Sequence, residues 1–299
     1  MPAASSRVAQ VRARASAYVR LTKPRVIELL LVTAVPAMVL AADGMPAPGV
    51  LAAVLVGGAL AAGGANTFNS LLERDRDQFM RRTHDRPLPR GEVSPRAALV
   101  YGIALEVVAF ALLARWANLL AAGLAVGATL FYVVVYTVWL KPRTVENIVI
   151  GGAAGAAPTL VGWAAVTGRI EVPAVVLFAI VFCWTPPHFW ALAIRYADDY
   201  RTAGIPMLPV VAGLRPTVRR ITAYAAAVVV LSLTLPLVRP TTPLYPLAAA
   251  VLGVTFLGRA WGLARACDPA AALAFFRFSN LYLAALFVAM ALDVAVGRL

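Results

Sequence analysis

Four oxygen-bearing side chains recur about one helical turn apart near the end of an apolar stretch: Asn66, Asn69, Glu73 and Asp77, at offsets of 3, 4 and 4. On a helix those offsets keep all four on one face, with a drift of about 40° per four-residue step. Two carboxylates and two amide oxygens make a hard-oxygen site of the kind that holds Mg²⁺. Mg²⁺ is ordinarily held by one or two carboxylates together with substrate phosphates, so the arrangement leaves room for a diphosphate. Asp75 points to another face and is the poorer candidate. Arg82 and Arg86 follow closely, and guanidinium groups grip phosphate oxygens bidentately. Pro87 pushes Arg86 out of helical geometry, so a loop is expected there. The plainer alternative is that these acids only neutralise neighbouring arginines at a helix end.

A second polar segment shifts that balance. It runs Trp184-Thr185-Pro186-Pro187-His188-Phe189-Trp190 and on through Arg195 and Tyr196 to Asp198-Asp199-Tyr200. Two adjacent prolines inside an apolar span remove hydrogen bonds from its ladder and predict a kink. Beyond it, His188, Leu192, Arg195 and Asp199 are spaced by 4, 3 and 4, which predicts that His188 and Asp199 share a face. A histidine inside a membrane span is costly and is a functional candidate by default, the alternative being a bond to a carbonyl freed by the prolines. His84, in a basic loop, reads as a solvated residue. A third connection holds Tyr136, Lys141, Arg143, Thr144 and Asn147; Lys141 can supply a point charge to a phosphate or serve as an ordinary topogenic lysine. Glu106 and Asp293 sit within spans, as buried acids or snorkelling ones. Gly151, Gly152 and Gly155 permit close helix packing.

The elements that position these residues are membrane helices. Of 299 residues 61% are hydrophobic and 14% charged, with a mean hydropathy of +0.79; a soluble domain carries roughly 25% charged residues. The apolar residues come in blocks of about twenty, long enough for a hydrocarbon core of roughly 30 Å. They lack the alternation of a barrel strand, so helices are expected. The blocks fall near 26–42, 50–71, 97–114, 119–139, 147–166, 173–195, 221–238, 244–263 and 279–297. Short links such as Arg115–Asn118 make neighbours antiparallel. Alternation then puts all but four of the 27 cations on one side, the exceptions being Arg115, Arg169, Arg239 and Arg298. By the positive-inside rule the N-terminus and the polar segments are cytoplasmic and the C-terminus is outside. The net charge of +13 is thus a topology signal, with no nucleic-acid partner expected. Residues 1–25 read as a basic cytoplasmic tail without a cleavable signal, and 26–299 as one transmembrane domain. A bacterial inner membrane is favoured over an organelle. Cys183 and Cys267 are too few for a disulfide framework.

The stretches ANTFNSLLERDRDQFMRRTHDRPLPRGEVSP, YTVWLKPRTVENIVIGGAAGAAP, WTPPHFWALAIRYADDY and AGIPMLPVV resemble the UbiA superfamily of intramembrane prenyltransferases. Within it they are most similar to the haem-farnesylating branch, from about residue 20 to the end. The first acidic motif is the less specific signal; R-T-x-x-R-P-L and P-P-H-F-W are the diagnostic ones. The resemblance implies nine transmembrane helices around a central cavity, Mg²⁺-assisted ionisation of farnesyl diphosphate, and transfer of the farnesyl unit to a vinyl group of protohaem IX. It implies that Asn69, Glu73 and Asp77 organise the metal and diphosphate, with Asn66, Arg82, Arg86 and Lys141 on the phosphate side, and that Asp199 belongs to the catalytic set. His188 and Tyr200 would face the haem. Glu73 departs from the superfamily's usual aspartate and is read as a longer carboxylate arm. The partners implied are the two substrates and the lipid bilayer, and a contact with a haem A synthase is compatible with them. Rival readings are a sister enzyme prenylating a quinone precursor or chlorophyll-type acceptor, and a haem-binding membrane transporter.

Overall fold

The computed structural model describes the backbone of residues 2–298 and the side chains of residues 10–298. Among the described residues it is all helix, in twelve elements: α1 (Pro2–Thr22), α2 (Pro24–Ala41), α3 (Pro48–Asp77), α4 (Pro95–Trp116), α5 (Leu119–Leu130, continued by a π-helical segment Phe131–Leu140), α6 (Asn147–Thr167), α7 (Val172–Arg195), α8 (Ala197–Thr202), α9 (Leu208–Val211), α10 (Leu214–Val238), α11 (Leu244–Ala266) and α12 (Pro269–Val296). Nine of these, α5 counted with its π extension, are long and apolar enough to cross a membrane. The expected spans are all present. Several extend further into charged sequence: α10 takes in Arg215, Arg219 and Arg220, and α12 takes in Arg277. An apolar window stops at the first charges, whereas a helix continues past them into the interface.

Local sequence accounts for most helix starts. Proline occupies the first turn of α2, α3, α4, α7 and α12, where its missing N–H has no helical partner to lose. Ser94, Asn118 and Asp268 cap α4, α5 and α12 by accepting from Ala97, Ala121 and Ala270 N–H groups. The basic start of the chain is helical too: α1 buries Ala17 and Leu21 against Leu88, Val93 and Ala98. Arg7 lies outside the described side chains. A single left-handed residue, Lys23 at φ 54°, turns the chain from α1 into α2.

Close packing holds the bundle together. The most extensive helix pairs are α3 with α4, α7 with α10 and α6, and α2 with α6. At Gly162 of α6 a Cβ would stand 2.6 Å from the Ala34 carbonyl oxygen of α2, so only glycine permits that approach. At Gly151 it would collide with the Tyr136 ring. α7 runs without a break through Pro186 and Pro187, both buried. At about 1.5 Å per residue, the 30 residues of α3 span about 45 Å, longer than a hydrocarbon core of roughly 30 Å. Its last turns therefore rise beyond the apolar layer, and they carry Glu73 and Asp77.

Candidate active site

The α3 face forms as its spacing predicts. Asn66, Asn69, Glu73 and Asp77 are all buried, at 5, 2, 6 and 2% exposure. Each is held by a different element. Asn66 Nδ2 donates to the Thr22 carbonyl at the end of α1, 2.9 Å away. Asn69 Oδ1 accepts from Lys23 Nζ at 2.7 Å while its Nδ2 donates to Thr137 Oγ1 at 3.1 Å. Glu73 Oε1 is ion-paired with Lys141 Nζ. Asp77 Oδ2 pairs with Arg86 at 2.6 Å. The loop after α3 turns back to bring Arg86 there, and Thr83 Oγ1 fixes it by donating to the Asp77 carbonyl at 3.1 Å.

The π segment supplies the opposite wall. Thr137 Oγ1 donates to Tyr132 O, and Lys141 N to Tyr136 O, both five residues back. In such a widened winding, residues four to five apart share a face, so Tyr132, Tyr136, Thr137 and Lys141 line up. Single π turns are uncommon and concentrate at functional sites. Here the winding aims Thr137 and Lys141 at the α3 ladder.

The second polar segment divides in two. α7 ends at Arg195 and the chain bends at Tyr196 before α8, so the offset that put His188 and Asp199 on one face stops applying. Asp199 is buried and faces the α3–α4 loop, where Oδ2 accepts from Arg82 N at 3.2 Å and Oδ1 lies 3.7 Å from Arg81 Nε. Tyr200 OH is 3.5 Å from the Arg82 guanidinium, which also lies over the Tyr196 ring at 5.8 Å. His188 is 6% exposed and stacks between Trp184 and Phe276, with centroids at 4.2 and 4.4 Å. Its Nδ1 lies 2.7 Å from Ser279 Oγ on α12.

Cations thus converge on the α3 acids from three places: Lys23 between α1 and α2, Arg86 in the loop, and Lys141 after the π segment. Burial, with the Arg86 charge next to it, holds the Lys23 ammonium well below the usual lysine pKa, against the opposing pull of Glu73 and Asp77. Among the described residues no three His, Cys, Asp or Glu side chains are gathered closely enough to hold an ion by themselves. Glu73, Asp77 and the Asn69 amide oxygen are nevertheless a donor set that suits Mg²⁺ completed by phosphate oxygens.

Several candidates separate here. Asp75 is exposed beside Arg74, and Asp198 is exposed and paired with Arg201. His84 is exposed, bonded to the Arg81 carbonyl and beside Asp85. Glu106 accepts from Thr129 at 3.0 Å where α3, α4 and α5 meet. Asp293 is buried and accepts from Thr242 and Tyr245 N–H groups, both at 3.0 Å, so it caps α11 from α12. Sequence reasoning missed Lys23, Thr137 and Ser279. The first two left a trace in Lys-Pro ahead of α2 and in the Tyr-x₃-Tyr-Thr-x₃-Lys spacing; Ser279 left none.

The pattern of the UbiA prenyltransferase family matches residues 30–286, and the chain belongs to that family. It is 54% identical over 288 residues to protoheme IX farnesyltransferase 1 of Saccharopolyspora erythraea, covering 94% of this chain and 91% of that one. It is 50% identical over 291 residues to the protoheme IX farnesyltransferase of a Nocardioides species, covering 95% and 93%. Solved structures share the fold at lower identity. A digeranylgeranylglyceryl phosphate synthase superposes with a TM-score of 0.77 at 17% identity, covering 94% of this chain and 98% of that one. A UbiA homologue from Archaeoglobus fulgidus bound to GPP and Mg²⁺ gives 0.65 at 19% identity, covering 92% and 99%.

Proposed function

We propose that the chain transfers the farnesyl group of farnesyl diphosphate to the outer carbon of a vinyl group of protohaem IX, with water adding to the inner carbon and releasing a proton, giving haem O and diphosphate. About half-identity to protoheme IX farnesyltransferases over nearly the whole chain supports this acceptor against quinone-type rivals and against a transporter. The observation that carries the chemistry is the pairing at the α3 ladder, where each buried carboxylate is neutralised by a cationic side chain.

Such pairs are exchangeable. A diphosphate would offer negative oxygens to Lys141, Arg86 and Lys23, which would free the carboxylates they pair with to hold a metal ion. Glu73, Asp77 and Asn69 would hold Mg²⁺, which when bound stabilises the charge that builds on the departing diphosphate. Arg82, Arg86, Lys141 and Lys23 grip the phosphate oxygens as the allylic carbon–oxygen bond breaks and its electron pair leaves with the diphosphate. Asn66 ties the ladder to the end of α1. Asp199 and Tyr200 set the loop that presents Arg82. Aromatic rings around His188 form an apolar wall where a flat macrocycle can lie and where water is kept from the allylic cation, and His188 ligates or orients the haem. The site faces the cytoplasm of a bacterial inner membrane, with basic residues 1–25 on the same side and residues 26–299 acting as one transmembrane domain. The charge asymmetry of the loops supports this orientation.

Membranes carrying the chain, incubated with haem, farnesyl diphosphate and Mg²⁺, should yield a haem in which one vinyl group has become hydroxyethylfarnesyl, heavier by one farnesyl and one hydroxyl group. Unmodified haem, or prenylation of a quinone precursor in its place, would overturn the assignment.

A further inference from the structure

The surroundings of His188 fix more than its position. Ser279 Oγ lies 2.7 Å from the Phe276 carbonyl oxygen, which can only accept, so the single hydroxyl proton is committed there. The other contact of that oxygen, 2.7 Å to His188 Nδ1, must then be donated by the ring. His188 is therefore the Nδ1–H tautomer, and its Nε2 carries a bare lone pair. Among the described residues Nε2 has no hydrogen-bond partner. Nor is it one of the polar atoms sealed away unpartnered, which are Asn147 Oδ1, Trp190 Nε1, Asn280 Oδ1 and Tyr282 OH. Nε2 is therefore not fully sealed and keeps some accessible surface.

The ring has little freedom to turn away. Trp184 and Phe276 stack on its two faces at interplanar angles of 20° and 28°. The same serine ties the stack together, because Trp184 Nε1 donates to the Ser279 carbonyl at 2.9 Å. One residue of α12 thus sets the tautomer, holds one flanking ring through its carbonyl and is bonded to the backbone of the other. Residues that bond the far nitrogen of a metal-ligating histidine play this part elsewhere, fixing orientation and raising ligand basicity.

We propose that Ser279 is a positioning residue for the acceptor: by taking the Nδ1 proton of His188 it presents Nε2 to the iron of the bound haem. This rests on the haem-acceptor reading above. Haem turnover by the wild-type chain tests that reading, whereas the comparison below tests the role of Ser279.

Haem and metal-free protoporphyrin IX should be titrated separately into purified Ser279→Ala and Ser279→Thr protein in lipid nanodiscs. Ser279→Ala should weaken haem binding about tenfold and shift the Soret band away from the histidine-ligated position. Protoporphyrin, which has no iron to ligate, should bind Ser279→Ala and wild type equally. Ser279→Thr retains the acceptor oxygen and should restore the haem spectrum. Equal weakening toward both macrocycles, or an unchanged haem spectrum in Ser279→Ala, would reduce Ser279 to a packing residue. A readout independent of any variant is available because the chain has only two histidines. The ¹⁵N shifts of the buried one in wild-type protein should report Nδ1–H, and an Nε2–H tautomer there would overturn the proposal.

Discussion

The two ends of the bundle use the same residue types for opposite purposes. At the end away from the α3 ladder, Asp293 is bonded to backbone N–H groups at the start of α11, and Asn118 Nδ2 donates to the Ala164 carbonyl at 2.7 Å. At the ladder end, Glu73 and Asp77 are bonded to the tips of Lys141 and Arg86. A backbone N–H cannot leave its helix, so a cap is permanent. A lysine or arginine tip on a flexible stem can be handed to another anion. The difference between a structural acid and a reactive one therefore lies in whether its partner can change.

The sharpest way to break that contrast is to neutralise the exchangeable acids. Glu73→Gln and Asp77→Asn should each lower haem farnesylation by about 10²–10³-fold, the range seen when one group stabilising a developing charge is removed. Stability should fall as well, because each substitution leaves Lys141 or Arg86 buried without its counter-charge, so product is measured per folded molecule. Near-normal product formation in both variants would remove these residues from the reaction. At the other end stability alone should suffer. Asp293→Ala leaves the N–H groups of Thr242 and Tyr245 without their acceptor and should cost about 2 kcal/mol of stability. Turnover per folded molecule should stay at the wild-type level, measured beside the melting curve.

How far the sequence alone reaches follows the same division. The nine spans and the α3 face are local patterns: a run of apolar residues, and offsets of 3, 4 and 4, can be read without knowing what lies across the bundle. Lys23 could not be assigned this way, because its left-handed turn and its bond to Asn69 depend on how α1 meets α3. Asp293 sits in apolar sequence like His188, and only its partners separate a helix cap from a site residue. The shared face of His188 and Asp199 failed for a specific reason: the offset argument needs one continuous helix, and the chain bends at Tyr196. The π winding of Phe131–Leu140 was also hidden, since an apolar run looks the same at either pitch.

Lys23 sharpens the contrast through pH. Its ammonium is held below the ordinary lysine pKa, chiefly by burial. Between that lowered pKa and the usual value near 10.4, the folded chain binds fewer protons than the unfolded one, so stability rises with pH across the window. Diphosphate binding has the opposite sign, because it needs the charged amine: affinity should be present below the lowered pKa and fall as pH rises through it. Lys23→Met should weaken diphosphate binding about tenfold, in line with a charge-assisted hydrogen bond, and erase that leg of the pH profile. Lys23→Arg, which stays charged, should move the leg out of range. An unchanged profile in Lys23→Met would assign the titration to another group.

The smallest expected effects come from neighbours in sequence, Asp198 and Asp199. Asp198 is exposed and paired with Arg201 within its own short helix, an arrangement that contributes little in water. Asp199 is buried, and the Arg82 N–H it accepts belongs to the loop that also carries Arg86 to Asp77. Asp199→Asn keeps an acceptor oxygen but loses its charge, which weakens the bond to Arg82 N–H by about 1 kcal/mol and should raise KM for farnesyl diphosphate about fivefold. Asp198→Asn should leave KM and kcat where they are. Were Asp199→Asn instead to lower kcat without touching KM, its carboxylate would act in the chemical step and not through the loop. Equal effects from both substitutions would mean that net charge at this rim, and not the bond to Arg82, sets affinity for the diphosphate.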